Sequence, residues 1–272
     1  MKFTETLTDV IEPAQVTQIM QAIKEAEQIV ITTHLSPDGD AIGSSLALYH
    51  FLKRNGKKVR IIVPNSFPYF LKWMEGAGEI SVAEYNPEAA RHILMQANLI
   101  FSLDYNIHKR IGLMAPMLES SPATKILIDH HLFPGNGFDI VASHPEISST
   151  CELIFRLLFQ AGKYEELTKT EAECIYCGMM TDTGGFTYNS SDPEIFEIIS
   201  LLLRKEIDVS RIQAKIGKQV DEKVSKQQRD FFLREQLKAI KKELGLQKEG
   251  KEAEVERFEK RLTEIKPTAE AS

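Results

Sequence analysis

Aspartate and histidine recur in this chain where an apolar run has just ended. His34 follows Q-I-V-I-T-T, with Asp38 and Asp40 in the adjoining loop H-L-S-P-D-G-D. Asp104 follows L-I-F-S-L, and Asp129, His130 and His131 follow K-I-L-I. Ser148, Ser149 and Thr150 open a later apolar segment, and Asp182 stands in M-T-D-T-G-G-F. Taken singly, an aspartate after a strand has an ordinary reading as a turn former or helix cap. Taken together, so many carboxylates with few basic residues beside them would repel one another in an empty site. A pair of divalent cations removes that conflict. Mixed imidazole and carboxylate donors without thiolate suit Mn²⁺, with Mg²⁺ or Co²⁺ as alternatives, better than a structural zinc. Two such ions, about 3.5–4 Å apart and sharing one carboxylate, activate water and stabilise in-line displacement at phosphorus. The chemistry implied is phosphoester hydrolysis.

Such a site needs elements that deliver these residues to one place. Gln28 to Thr33, Val59–Val63, Leu99–Leu103 and Ile126–Ile128 are short apolar runs, which predicts strands covered on both faces. Ala41 to Lys53 predicts a helix with Leu46, Leu48, Phe51 and Leu52 inward and Gly56 as its stop. Further helices are expected at about 88–96, 149–160, 168–180 and 193–204. Alternation of this kind predicts an α/β fold with a doubly wound, mainly parallel sheet, whose ligands bind beyond the carboxyl ends of the strands.

At 272 residues and 43% hydrophobic, the chain can build one sizeable core with an appendage. It opens without a basic stretch leading into an apolar one and has no apolar run long enough to span a bilayer, so a cytoplasmic location and no membrane partner are expected. Its three cysteines argue against a disulfide framework. Cys174 and Cys177 form a C-x-x-C on one side of an expected helix, among apolar residues, and read as core packing.

The motifs H-L-S-P-D-G-D-A-I-G-S-S-L-A-L, D-Y-N-I-H-K-R-I-G, L-I-D-H-H and M-T-D-T-G-G-F resemble, in order, the four motifs of the DHH phosphoesterase superfamily. V-P-N-S-F-P-Y-F-L-K-W-M-E-G-A resembles its nanoRNase and pAp phosphatase branch, and the likeness covers about residues 1–210. It implies that His34 and Asp38 hold one metal, that Asp40 and His130 hold a second, that Asp104 bridges them and that Asp182 completes the set. It further implies that Asp129 orients a histidine and that His131 faces the substrate phosphate or leaving oxygen. Arg110 and the hydroxyls of Ser148, Ser149 and Thr150 are weaker candidates for phosphate contacts. The substrates implied are short oligoribonucleotides or 3′-phosphoadenosine 5′-phosphate (pAp). Inorganic pyrophosphate and polyphosphate, taken by relatives in the superfamily, are the alternatives.

Beyond about residue 210 the chain changes character. Residues 213–272 carry 15 basic and 12 acidic side chains (net +3), against 18 and 27 before them (net −9). Ile212, Ile216, Val220, Val224 and Phe231, then Leu233, Leu237, Ile240 and Leu244, recur at near-helical spacing. Val255, Phe258, Leu262 and Ile265 mark a second helix before Pro267. Residues 211–272 are therefore expected to form a helical hairpin or coiled coil whose apolar stripe pairs copies of the chain into a homo-oligomer. The wording here resembles the helical segment of Lon protease that precedes its ATPase module. G-L-Q-K-E-G-K-E at 245–252 is not a phosphate-binding loop, because Glu252 stands where a Ser or Thr belongs. The glycine-rich, histidine-ended motif of the second domain that the phosphoesterase resemblance implies is not found after Ile212. The expectation is thus a fusion joined within 207–217, either an enzyme with impaired turnover or a non-catalytic scaffold whose tail mediates assembly.

Overall fold

The computed structural model describes residues 7–216; of the tail expected over 211–272 only the first six residues fall among them, with Ile212 and Ile216 buried in the core. Six strands form one parallel sheet: β1 (Gln28–Thr32), β2 (Lys58–Val63), β3 (Ser81–Val82), β4 (Leu99–Leu103), β5 (Thr124–Asp129) and β6 (Ile140–Ser143). Their order across the sheet is β3-β2-β1-β4-β5-β6. The chain starts near the middle, winds outward to β3, then returns to β4 and winds the other way. The switch falls between β1 and β4, where Thr32 pairs with Ser102. In such sheets the crevice beyond the strand ends at the switch point receives ligands.

The central strands are covered on both faces because alternate residues feed two cores. Ile29, Ile31, Leu99, Phe101, Leu103, Ile126 and Ile128 pack into one. On that side lie α1 (Pro13–Glu25), α2 (Gly39–Arg54), α5 (Thr150–Gln160), α6 (Lys169–Asp182) and α7 (Glu194–Leu203). Val30, Ile62 and Ile100 face the other core, with α3 (Pro87–Gln96) and α4 (Ala115–Ser120). The sheet is thus the middle of three layers.

Each strand and helix expected before residue 210 is present, and Gly56 follows α2 with a left-handed φ of +77°. Leu46, Leu48, Phe51 and Leu52 are buried. Cys174 and Cys177 lie within α6, buried and unbridged, facing the same core as Cys151. Not anticipated were α1, α4, β3 and β6. β3 has two residues and β6 four, too few for a period to register. Among the described residues, no helix is long and apolar enough to cross a membrane.

Candidate metal centre

The residues that end β1, β4 and β5 meet the start of α2, the start of α5 and the end of α6. Asp38 caps α2, accepting the amides of Asp40 and Ala41 at 3.1 and 3.2 Å. That cap turns the loop so that His34 and Asp40 face the same crevice. Two helices must also approach closely. A Cβ on Gly39 would lie 2.3 Å from Thr181 Oγ1, and one on Gly178 would lie 2.1 Å from Cys151 Sγ. These glycines let the Asp40 turn of α2 nest against α6, whose last residue is Asp182.

Asp104 is the hub. It ends β4 in a left-handed conformation (φ +64°) and is 2% exposed. Its Oδ2 lies 3.3 Å from His34 Nε2, and its Oδ1 lies 3.5 Å from His130 Nε2. His130 Nε2 is also 3.4 Å from Asp182 Oδ2 and 3.9 Å from Asp40 Oδ2. His34 Nε2 is 3.9 Å from Asp38 Oδ1. Three sets of side chains therefore converge closely enough to share an ion: His34, Asp38 and Asp104; Asp40, His130 and Asp182; and Asp104, His130 and His131.

Asp129 is fully buried and stands under His131, its Oδ1 2.7 Å from His131 Nδ1 and its Oδ2 accepting the His131 amide at 3.1 Å. A carboxylate so placed fixes the ring and leaves Nε2 to face outward. The His131 side chain is one-third exposed, the most open of the three imidazoles.

The charges act as one unit. Burial works against ionised Asp104, but hydrogen bonds from His130 and His34 and their positive charge hold its carboxyl well below the ordinary range. Burial would lower His130, yet its bond to Asp104 and the charges of Asp40, Asp104 and Asp182 raise it to about 10. His34 is raised against its burial by the bond to Asp104 and the charges of Asp104 and Asp38. Burial and the nearby Asp104 and Asp182 push Asp40 well above the usual carboxylate range, against the pull of His130. Carboxylates this crowded call for positive charge, supplied here by imidazolium protons and equally by divalent cations. The donors are oxygen and imidazole nitrogen, and the set fits Mn²⁺ or a similar ion.

The segment Ser148–Thr150 performs a task its side chains alone do not disclose. Thr150 donates its amide to Asp40 Oδ2 at 2.6 Å and Cys151 donates its own to Asp40 Oδ1 at 2.8 Å. The Thr150 hydroxyl donates to Asp104 Oδ1 at 3.1 Å. The Ser149 hydroxyl caps α5 by accepting the Glu152 amide, while the Ser148 hydroxyl donates to Glu152 Oε2 at 2.5 Å. These groups hold the carboxylates in place. Arg110 meets the site through its backbone, its carbonyl accepting the Leu35 amide at 2.8 Å.

Glu152 and Arg156 were not singled out in the sequence. Both side chains are 1% exposed, joined at 2.8 Å, and Arg156 continues to Glu194 Oε2 at 2.8 Å. Glu152 grips the start of α5 and Arg156 ties it to α7. The signal was present as E-x-x-x-R in an otherwise apolar helix.

Residues 28–179 match the family described as DHH family, N-terminal domain. Among solved structures, an exopolyphosphatase-related protein from Bacteroides fragilis is 52% identical with a TM-score of 0.76, covering 77% of this chain and 62% of that one. A Methanococcus jannaschii protein described as a putative family II inorganic pyrophosphatase shares the fold at 16% identity (TM-score 0.53; 71% of this chain, 60% of that one). A different likeness spans 73 residues, 62% identical to Lon protease 1 of Syntrophotalea carbinolica, which is 27% of this chain and 9% of that protease. The mitochondrial Lon homologue of Mus musculus is 48% identical over 64 residues, 24% of this chain and 7% of that protein. The chain thus spans less than two thirds of the exopolyphosphatase-related protein and under a tenth of these two Lon proteins.

Proposed function

The chain belongs to the DHH family, and from that premise we propose that it is a dinuclear metal-dependent phosphoesterase that hydrolyses short oligoribonucleotides or pAp. The observation that carries the reading is the placement of Asp104, each of whose oxygens faces a different imidazole. A single carboxylate shared in this way is what two adjacent ions require. His34, Asp38 and Asp104 would hold one ion, and Asp40, His130, Asp182 and Asp104 the other. Such a pair supplies Lewis acidity and an activated water for displacement at phosphorus. Mn²⁺ is the ion the donor set favours.

The chain's own residues then do the rest. Asp129 fixes His131 so that its outward nitrogen can hold a proton at the leaving oxygen. The amides of Thr150 and Cys151 keep Asp40 in register with His130. Burial of the cluster strengthens each of these interactions.

The test is Mn²⁺-dependent release of phosphate from pAp and of mononucleotide from a diribonucleotide, with the intact chain beside Asp104→Ala. Activity lost in the variant supports the reading. No turnover in either, with Mn²⁺ still bound by calorimetry, favours the scaffold reading, which the Lon-like segment supports. The segment beyond residue 212 is then the assembly element: removing residues 213–272 should lower the number of chains per particle in light scattering.

A further inference from the structure

V-P-N-S-F-P-Y-F-L-K-W-M-E-G-A, at 63–77, contributes nothing to the metal cluster, yet the fold brings it beside it. It leaves the carboxyl end of β2, the strand next to β1, and Val63 is in register with Val82 of β3. β2 and β3 therefore end at the same edge of the sheet as His34, about 5 and 10 Å to one side. The two loops are joined directly: the Ser36 amide, two residues after His34, donates to Asn65 Oδ1 at 2.7 Å.

Beyond Asn65 lies a depression of about 400 Å³ lined by Ser66, Phe67, Lys72, Gly78, Val82 and Tyr85 among others. Its walls are aromatic and aliphatic. Tyr85 is 74% exposed, and its hydroxyl meets Ser66 Oγ at 2.5 Å, which fixes the ring at the rim. Lys72 Nζ lies 5.5 Å from the ring of Tyr69, itself 84% exposed. Gly78, also in the lining, is exposed, and an added Cβ there would meet nothing within 4 Å. One cation beside aromatic faces is poor equipment for a polyphosphate or pyrophosphate chain, which demands several Lys or Arg. It suits a planar base with one phosphate nearby.

We propose that this depression is a nucleobase subsite: it receives the base adjoining the phosphate held at the metal cluster, with Tyr85 and Phe67 as apolar platforms and Lys72 on the flanking phosphate. The proposal rests on the phosphoesterase reading and deepens it, because such a subsite selects nucleotides over inorganic phosphate chains.

The experiment uses the intact chain with Tyr85→Ala and with Gly78→Leu, whose Cβ has free space at the rim of the depression. Binding of 5′-phosphorylated diadenosine and of its analogue lacking the second base is measured by calorimetry with Mn²⁺ present, the scissile linkage replaced by a non-hydrolysable methylenephosphonate and the natural linkages kept for turnover. KM and kcat for both are measured in Mn²⁺. The expected result is a roughly tenfold loss of affinity for the diadenosine in both variants and little change for the abasic analogue, with KM rising and kcat nearly constant. Equal affinities in wild type and variants overturn the subsite, even where diadenosine is hydrolysed and the phosphoesterase reading stands. A wild type that binds neither compound but releases phosphate from inorganic polyphosphate overturns the subsite together with the nucleotide substrates, leaving metal-dependent hydrolysis intact.

Discussion

The hydroxyl of Thr150 donates to Oδ1 of Asp104 at 3.1 Å, on the side of that carboxylate facing His130. The contact aims the buried carboxylate that, in the proposed reading, both ions would share. Thr150→Val keeps the shape and the backbone amide that holds Asp40 but removes the donor. Mn²⁺ affinity should fall about 10- to 100-fold, the usual cost of losing a partner behind a ligand. The melting temperature of the metal-free protein should move little by comparison. Titration calorimetry beside a thermal melt checks both, and unchanged affinity would sink the idea.

Loading with metal should expel protons. His130 in the metal-free protein is raised to about 10, so at neutral pH a cation must displace its proton. Apparent affinity should therefore climb with pH until about 10. Calorimetry at pH 7 in buffers of different ionisation enthalpy should report proton release, which Asp182→Asn reduces. The metal-free protein behaves oppositely. A folded value above the unfolded 6.5 contributes stability that is complete below about 6.5 and is lost as pH rises through about 10. Unfolding curves of the metal-free protein across that window would test the sign.

Arg156 is the buried tie between α5 and α7, and Glu152 would be left inside without it. Arg156→Met should destabilise the fold by about 3–5 kcal/mol, read as a shift of the urea midpoint. Replacing Glu152 and Arg156 together by Leu and Met should recover much of that loss, since an uncompensated charge is the main cost.

Gly178 is a packing requirement of the Asp40 cluster. Its Cβ in an alanine variant would stand 2.1 Å from Cys151 Sγ and 2.9 Å from Asp40 Oδ1. Gly178→Ala should cost about 1–3 kcal/mol from overpacking and weaken Mn²⁺ binding through Asp40. Adding Cys151→Ala removes the nearer clash, so the double variant should be more stable than Gly178→Ala alone. No recovery in a thermal melt would place the strain elsewhere.

The strand ends were legible because a strand buried on both faces is an unbroken apolar run, so a sudden Asp or His after L-I-F-S-L or K-I-L-I stands out. Parallel order then follows from the helices between them, and places His34, Asp104 and Asp129 on one edge. The work of Ser148–Thr150 was less legible. Two of its contacts to the cluster come from the amides of Thr150 and Cys151, and an amide leaves no trace in the residue type. Glu152 was passed over because a charge in a helix normally faces water, and only the fold shows it enclosed. β3 and β6 are short edge strands, recognised by their neighbours' register and not by their own composition.

The order of the sheet has a consequence for how the protein is made. The residues gathered at the crevice begin at His34 and end at Asp182, so the cluster closes only when the chain has left the ribosome as far as residue 182. Every strand pairing around it is a crossover, which nothing local can assemble early. A nascent chain carrying His34, Asp38 and Asp40 alone offers a cation few donors. In the proposed metal-dependent reading, ion capture is therefore a late event in biogenesis, and a ribosome halted before Asp182 holds a polypeptide whose cation site lacks one of its carboxylates.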